Sequence, residues 1–239
     1  LQDFFGVVMH FTSHIGQDQW VAEVYKYKRH GYFLDFGAFD GLLTSNTFYL
    51  EKYLGWTGIC VEPNPLFYSA VCAVRNCICM NVALWAESRQ SMEFLDAHGL
   101  SSLASLGGAD NNAGLREAAT RQLIKVDTLN PTELLRRFSA PGLIEYMSLD
   151  VEGAELDVLK EINLREYNIA LMTVEHNHQD DKRSAIREYL SDFGYDVVGH
   201  HNDDFFYSKS ILDAITDGDF LDPMDAHLKV EMEFKIYDR

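Results

Sequence analysis

Four short stretches bring together residue types that can do chemistry. The first is Asp35-Phe-Gly-Ala-Phe-Asp-Gly41. Gly37 and Gly41 permit a tight turn and let a ligand approach the main chain, while Asp35 and Asp40 set two carboxylates beside it. The second is Glu62-Pro63-Asn64-Pro65, whose prolines stiffen a turn. Its acid lies about twenty positions past the glycine turn, a spacing that suits a carboxylate accepting both hydroxyls of a ribose. The third is Ser148-Leu-Asp150-Val-Glu152-Gly153-Ala-Glu155, and the fourth is Thr173-Val-Glu175-His176-Asn177-His178.

These stretches favour some ligands over others. The first loop is not G-x-G-x-x-G, and Asp35 and Asp40 would repel a pyrophosphate, so a dinucleotide is disfavoured. S-adenosylmethionine carries a sulfonium, an ammonium and a ribose diol but no phosphate, and it suits an acidic turn. Each stretch also has an ordinary reading. Residues 35–41 could be a solvated acidic loop, and Glu62 and Glu155 could be acids favoured by a helix dipole. Asp150 and Glu152 precede their helix, so the dipole does not account for them. On adjacent strands, Asp150, Glu152, Glu175 and His176 would share one pocket. Glu152 and His176 are then the candidate bases for methyl transfer to a hydroxyl, with Asp150 beside them. Alternatively Asp150, Glu175 and His176 hold Mg²⁺ or Mn²⁺, which would acidify the hydroxyl.

The elements that must position these residues follow from hydrophobic periodicity. Tyr32–Phe36, Thr57–Val61, Cys77–Leu84, Ile144–Leu149 and Ile169–Val174 read as apolar strands. Between them, Asp18–Arg29, Ser45–Leu54, Pro65–Val74, Pro131–Phe138, Glu155–Ile162 and Asp181–Phe193 read as helices. Arg121–Val126, Tyr195–Val198 and Asp204–Tyr207 read as further strands. Apolar strands alternating with amphipathic helices predict an α/β fold: a doubly wound, mostly parallel sheet with helices on both faces. In such sheets ligands bind beyond the carboxyl ends of the strands, which is where all four stretches fall. Ala97–Gly114, rich in Gly, Ser and Asn, is expected to be a mobile lid over an acceptor pocket. Ser210–Asp225 reads as irregular. From Leu228 to Ile236 apolar and charged residues alternate strictly, which predicts an edge strand or, as a lesser alternative, a strand exchanged within a homodimer.

Several segments, in order, resemble the FkbM-type methyltransferases. They are Tyr32–Gly41, Ser45-Asn46-Thr47, Leu54–Asn64 and Ser148–Glu155, with Gly16-Gln17-Asp18 and Thr173–Asn177 fitting the same pattern. The resemblance spans roughly residues 13–208 and implies a Rossmann-like class I methyltransferase. It implies that Asp35, Gly37, Ala38, Asp40, Gly41, Asn46, Glu62, Pro63 and Asn64 bind S-adenosylmethionine, with Gln17 and Asn81 joining them. It further implies O-methylation of a sugar, a glycan or another small molecule. N- or protein methylation, or a non-catalytic nucleoside-binding scaffold, are the alternatives. The layout is also similar to metal-dependent sugar O-methyltransferases. In that pattern Asp150, Glu175 and His176 stand at the ligand positions, although His176 replaces the usual acid, and Glu152 matches the base.

Composition narrows the partners. The 239 residues, 47% hydrophobic, suffice for one substantial core and are read as one domain. Its parts are an N-terminal helical segment (1–30), a core (31–208) and a C-terminal extension (209–239). The chain begins with Leu1, as a domain of a longer or processed polypeptide would, and fusion to other enzymatic domains is an expectation. A net charge of −17 disfavours nucleic acid and anionic lipid. No apolar run approaches a bilayer span. Cys60, Cys72, Cys77 and Cys79 are expected as reduced core thiols of a cytoplasmic protein.

Overall fold

The structure, a computed structural model, describes residues 11–97, 101–106, 113–119, 122–200 and 202–237. The first half of the main sheet comes from α1 (Gln17–Val24), β1 (Tyr32–Phe36), α2 (Phe48–Leu54), β2 (Thr57–Val61), α3 (Pro65–Val74) and β3 (Ile78–Met80). A middle segment follows, with β4 (Ala83–Leu84), β5 (Ser91–Asp96), β6 (Ser102–Leu103), α4 (Ala113–Ala119), β7 (Gln122–Leu129) and α5 (Pro131–Arg137). The second half contains β8 (Leu143–Leu149), α6 (Glu155–Glu161), β9 (Asn168–Glu175), α7 (Asp180–Ser191), β10 (Asp196–Gly199) and β11 (Asp203–Tyr207). Two helices, α8 (Lys209–Thr216) and α9 (Pro223–Tyr237), complete it.

Seven strands form one sheet in the order β10-β11-β9-β8-β1-β2-β3. All neighbours are parallel except β11, which runs antiparallel to β9 and β10. The chain order reverses at β1, which pairs with β2 on one side and β8 on the other. That reversal opens a crevice at the strand tips. Each strand contributes to both faces in alternation. Leu34 and Phe36 of β1 pack with Leu134, Val158 and Ile186 on one face, while Phe33 packs with Trp20, Leu50 and Val71 on the other. Burial of each such side chain stabilises the fold by about 1.5–3 kcal/mol.

The observed bounds depart from expectation where local signals compete. The first helix ends at Val24 rather than Arg29, because Lys26 and Tyr27 take left-handed backbone. The single strand expected over Cys77–Leu84 splits, with β3 in the main sheet and β4 in a second sheet ordered β4-β7-β5-β6. Within Ala97–Gly114, residues 98–100 and 107–112 lie outside the described residues, but β6 and a 3₁₀ turn over Ala104–Leu106 replace the structureless loop. The four cysteines are free thiols, and Cys60 is buried, but Cys72 is exposed rather than in the core. Among the described residues no helix is long and apolar enough to cross a membrane.

The C-terminal extension overturns its strand reading. Residues 209–216 and 223–237 are helical. Pro223 starts α9 at a position where its missing N–H costs nothing, and the Met224 N–H donates to Asp222 Oδ1 at 3.0 Å. Ala226 and Val230, four apart, are buried against α1. Trp20 Nε1 donates to the Pro223 carbonyl at 3.0 Å, and Lys229 pairs with Glu23 at 2.6 Å. Val230 is 3% exposed and Met232 is 60% exposed, although strict alternation would put them on one face. This difference is testable by urea denaturation. Val230→Asp is expected to cost about 2–4 kcal/mol, and Met232→Asp within about 0.5 kcal/mol. Equal losses would favour the strand.

Candidate functional site

The crevice at the switch point encloses about 1070 Å³ of atom-free space, open mouth included. The tips of β1, β2 and β8 supply its floor, and Phe94 and Leu103 of the small sheet supply a wall. Gly37 makes the geometry possible. Its φ of +94° is left-handed, and a Cβ there would lie 1.7 Å from the Asp150 main-chain oxygen. The Asp150 N–H in turn donates to the Phe36 carbonyl at 2.9 Å, locking the tips of β1 and β8 together.

Glu62 stands at the end of β2 and lines the cleft. Its Oε2 accepts from the Phe39 N–H at 3.0 Å and its Oε1 from the Asn64 N–H at 2.8 Å. Burial pushes its carboxyl up to about 8, although both main-chain donors hold it down. Asn81 does not line the cleft; its Nδ2 donates to the carbonyls of Glu62 and Pro63, both at 2.9 Å, and so fixes the turn from behind. Asn64 caps α3 through the Leu66 N–H and bonds Asp96. Pro63 and Ala38 line the cleft. So does Asn46, whose Nδ2 donates to Ser148 Oγ at 2.8 Å and whose buried Oδ1 has no partner.

Asp35, Asp40 and Gly41 of the first loop make contacts within the protein. Asp35 borders the cleft but its carboxylate faces inward, where Thr47 Oγ1 donates to it and Arg75 lies 3.6 Å away. Burial raises its pKa against those partners. Asp40 accepts from the N–H groups of Leu42 and Leu43, and Gly41 packs on α3; neither lines the cleft. Arg75, buried and paired with Glu51 at 2.5 Å, is a supporting residue that the motifs do not reveal. Gln17 lines a second cavity of about 550 Å³ and donates to Asp203 at 2.9 Å. That cavity shares Thr44, Asn46 and Asp150 with the cleft.

The third and fourth stretches meet only in part. Carboxylate oxygens of Asp150, Glu155 and Glu175 lie within 4.8 Å of one another. Burial and mutual repulsion raise the proton affinity of Asp150 and Glu175, whose side chains hydrogen-bond each other and so share a proton. Glu152 is buried at the edge of this group with left-handed backbone, φ 52°. His176 lines neither cavity. Its N–H donates to the Asn202 carbonyl, its Nδ1 accepts from the His178 N–H at 3.2 Å, and burial lowers its pKa. The expected trio of Asp150, Glu175 and His176 is therefore not assembled, because consecutive residues at a strand tip point to opposite faces. Glu155 is no substitute. Its Oε1 accepts from the Val151 and Gly153 N–H groups at 3.1 and 3.0 Å, and its other oxygen pairs with Lys182. The donor set does not fit a Mg²⁺ or Mn²⁺ site with three protein ligands.

The β1–β8 contact has a direct test. Gly37→Ala is expected to lower stability by about 2–4 kcal/mol in urea denaturation, through strain and overlap together. Wild-type stability would show that the two tips do not touch.

Residues 35–197 match the methyltransferase FkbM domain family. Among solved structures the chain is similar to methyltransferase FkbM from Methylobacillus flagellatus KT, at 10% identity and a TM-score of 0.50. That likeness covers 79% of this chain and 47% of the other, so the chain spans about half that structure's length. It is also similar to precorrin-6y C5,15-methyltransferase from Geobacter metallireducens GS-15, at 13% identity and a TM-score of 0.42, over 80% and 84% of the two chains. No curated protein matches it. The seven-stranded sheet is that of the class I methyltransferases, and with the family match covering most of the sheet, the chain belongs to the methyltransferase FkbM domain family.

Proposed function

We propose that this chain is an S-adenosylmethionine-dependent O-methyltransferase acting on a hydroxyl of a sugar, a glycan or another small molecule. The observation that carries the reading is Glu62, a buried carboxylate held by two main-chain N–H groups at the tip of β2 and open to the cleft. Such a group suits the two hydroxyls of a ribose. Asn46 borders the same cleft, and Phe94 and Leu103 offer apolar flanks for a base. When bound, the cofactor supplies an electrophilic methyl group.

The chain's own residues supply the proton chemistry. A hydroxyl acceptor must lose its proton as the new bond forms. Asp150 lines both cavities and shares a proton with Glu175. Burial and the neighbouring carboxylates raise its proton affinity, which favours taking up a hydroxyl proton. Asp150 therefore takes the role of base in this reading, Glu175 and Glu152 tune it, and His176 takes none. The four free thiols support a reducing, cytoplasmic setting, and the charge of −17 supports an acceptor other than nucleic acid.

Calorimetry with S-adenosylhomocysteine tests the reading. Ribose hydroxyls favour ionised Glu62, so binding releases a proton below the empty-site pKa of about 8. Affinity is expected to rise with pH and level off near 8. Glu62→Gln should weaken binding by about 10- to 100-fold, the loss of charged hydrogen bonds, and should flatten this pH dependence. Unchanged affinity in the variant would remove Glu62 from the site.

A further inference from the structure

The second cavity offers hydrogen-bond acceptors and negative charge, with little to balance them. Asp150, Glu175 and Asp203 line it, and the carbonyl oxygens of the Asn46 and Asn202 side chains are buried in its wall without a partner. Two of the side-chain donors present are committed. Gln17 Nε2 donates to Asp203, and Thr44 Oγ1 donates to the Leu43 carbonyl. His14 is the single basic side chain among the residues that line it. Burial raises Asp203 only to about 6, so it is ionised at neutral pH.

Unsatisfied buried acceptors are costly, as are unpaired buried carboxylates, and a donor-rich cation relieves both. A neutral polyol supplies donors but leaves the charge. A primary ammonium supplies three donors and a positive charge at one point. The cavity opens onto the cleft through Asn46 and Asp150, so a group seated there belongs to a molecule that also reaches the proposed base.

We propose that the acceptor carries a protonated amine beside its hydroxyl, as an amino sugar does, and that this ammonium docks among Asp203, Glu175 and the two orphaned amide oxygens. The inference rests on the methyltransferase reading of the cleft, with the amine as the recognition group and the hydroxyl as the methyl acceptor. Asp203 and Asn202 then set specificity from the antiparallel strand β11 and its approach, while the proposed cofactor residues follow the ends of β1 and β2.

Calorimetry on protein saturated with S-adenosylhomocysteine separates the possibilities, with D-glucosamine, N-acetyl-D-glucosamine and D-glucose as probes. Glucosamine is expected to bind at least about tenfold tighter than either neutral sugar, the difference a charge-assisted hydrogen bond makes. Asp203→Asn and Glu175→Gln should each shrink that preference to within about threefold. Saturation by S-adenosylhomocysteine with no preference for the amine, or with no binding of glucosamine, would overturn the inference and leave the cofactor reading intact. Failure of S-adenosylhomocysteine to bind at all would overturn both. A preference for glucosamine that survives both substitutions would also overturn the proposed location.

Discussion

The contact between Gly37 and the Asp150 main chain is the constraint on which the rest of the site depends. Two parallel strands, β1 and β8, end side by side, and the chain must leave each tip in a different direction. A side chain at position 37 would collide with the Asp150 carbonyl, so only glycine lets the loop pass. Because it passes, Phe36 and Asp150 join through a main-chain hydrogen bond, and the crevice opens between that junction and β2. Ala38, Asn46, Glu62 and Asp150 all take their places from this junction or from strands in register with it.

The same architecture concentrates carboxylates where burial is expensive. Asp35 is stabilised by Arg75 and Thr47, Glu155 by Lys182 and two N–H groups, and Asp204 by Arg183 and Arg187. These acids serve the fold. Glu62, Asp150, Glu175 and Asp203 are different, because they border open space and no Lys or Arg among the described residues pairs with them. That division sorts these acids into those paired with a cation and those that border open space. Asp35, prominent in the first motif, is held by Arg75 and Thr47, while Asp203, outside every motif, lines a cavity.

The strand bounds of Tyr32–Phe36 and Thr57–Val61 are legible in the sequence because both are short apolar runs flanked by glycine or helix starts. The family resemblance was likewise carried by ordered local motifs, and the family match bears it out. The C-terminal helix was not legible. Its residues alternate in polarity, yet Lys, Glu, Leu and Met are good helix formers, and the α1 surface selects Ala226 and Val230. His176 shows the limit of placing residues by strand tip alone: it follows Glu175 directly, so the two side chains face opposite sides and only Glu175 lines a cavity. Asp203 could not be found locally, because its partner Gln17 lies 186 positions away.

The central claim is that Glu62, presented by the junction of β1, β2 and β8, grips the ribose of the cofactor. A crystal structure of the S-adenosylhomocysteine complex tests it most directly. The account places both ribose hydroxyls within hydrogen-bond distance of the Glu62 carboxylate, about 2.5–3.0 Å. A nucleoside bound elsewhere, or a ribose turned away from Glu62, would contradict it.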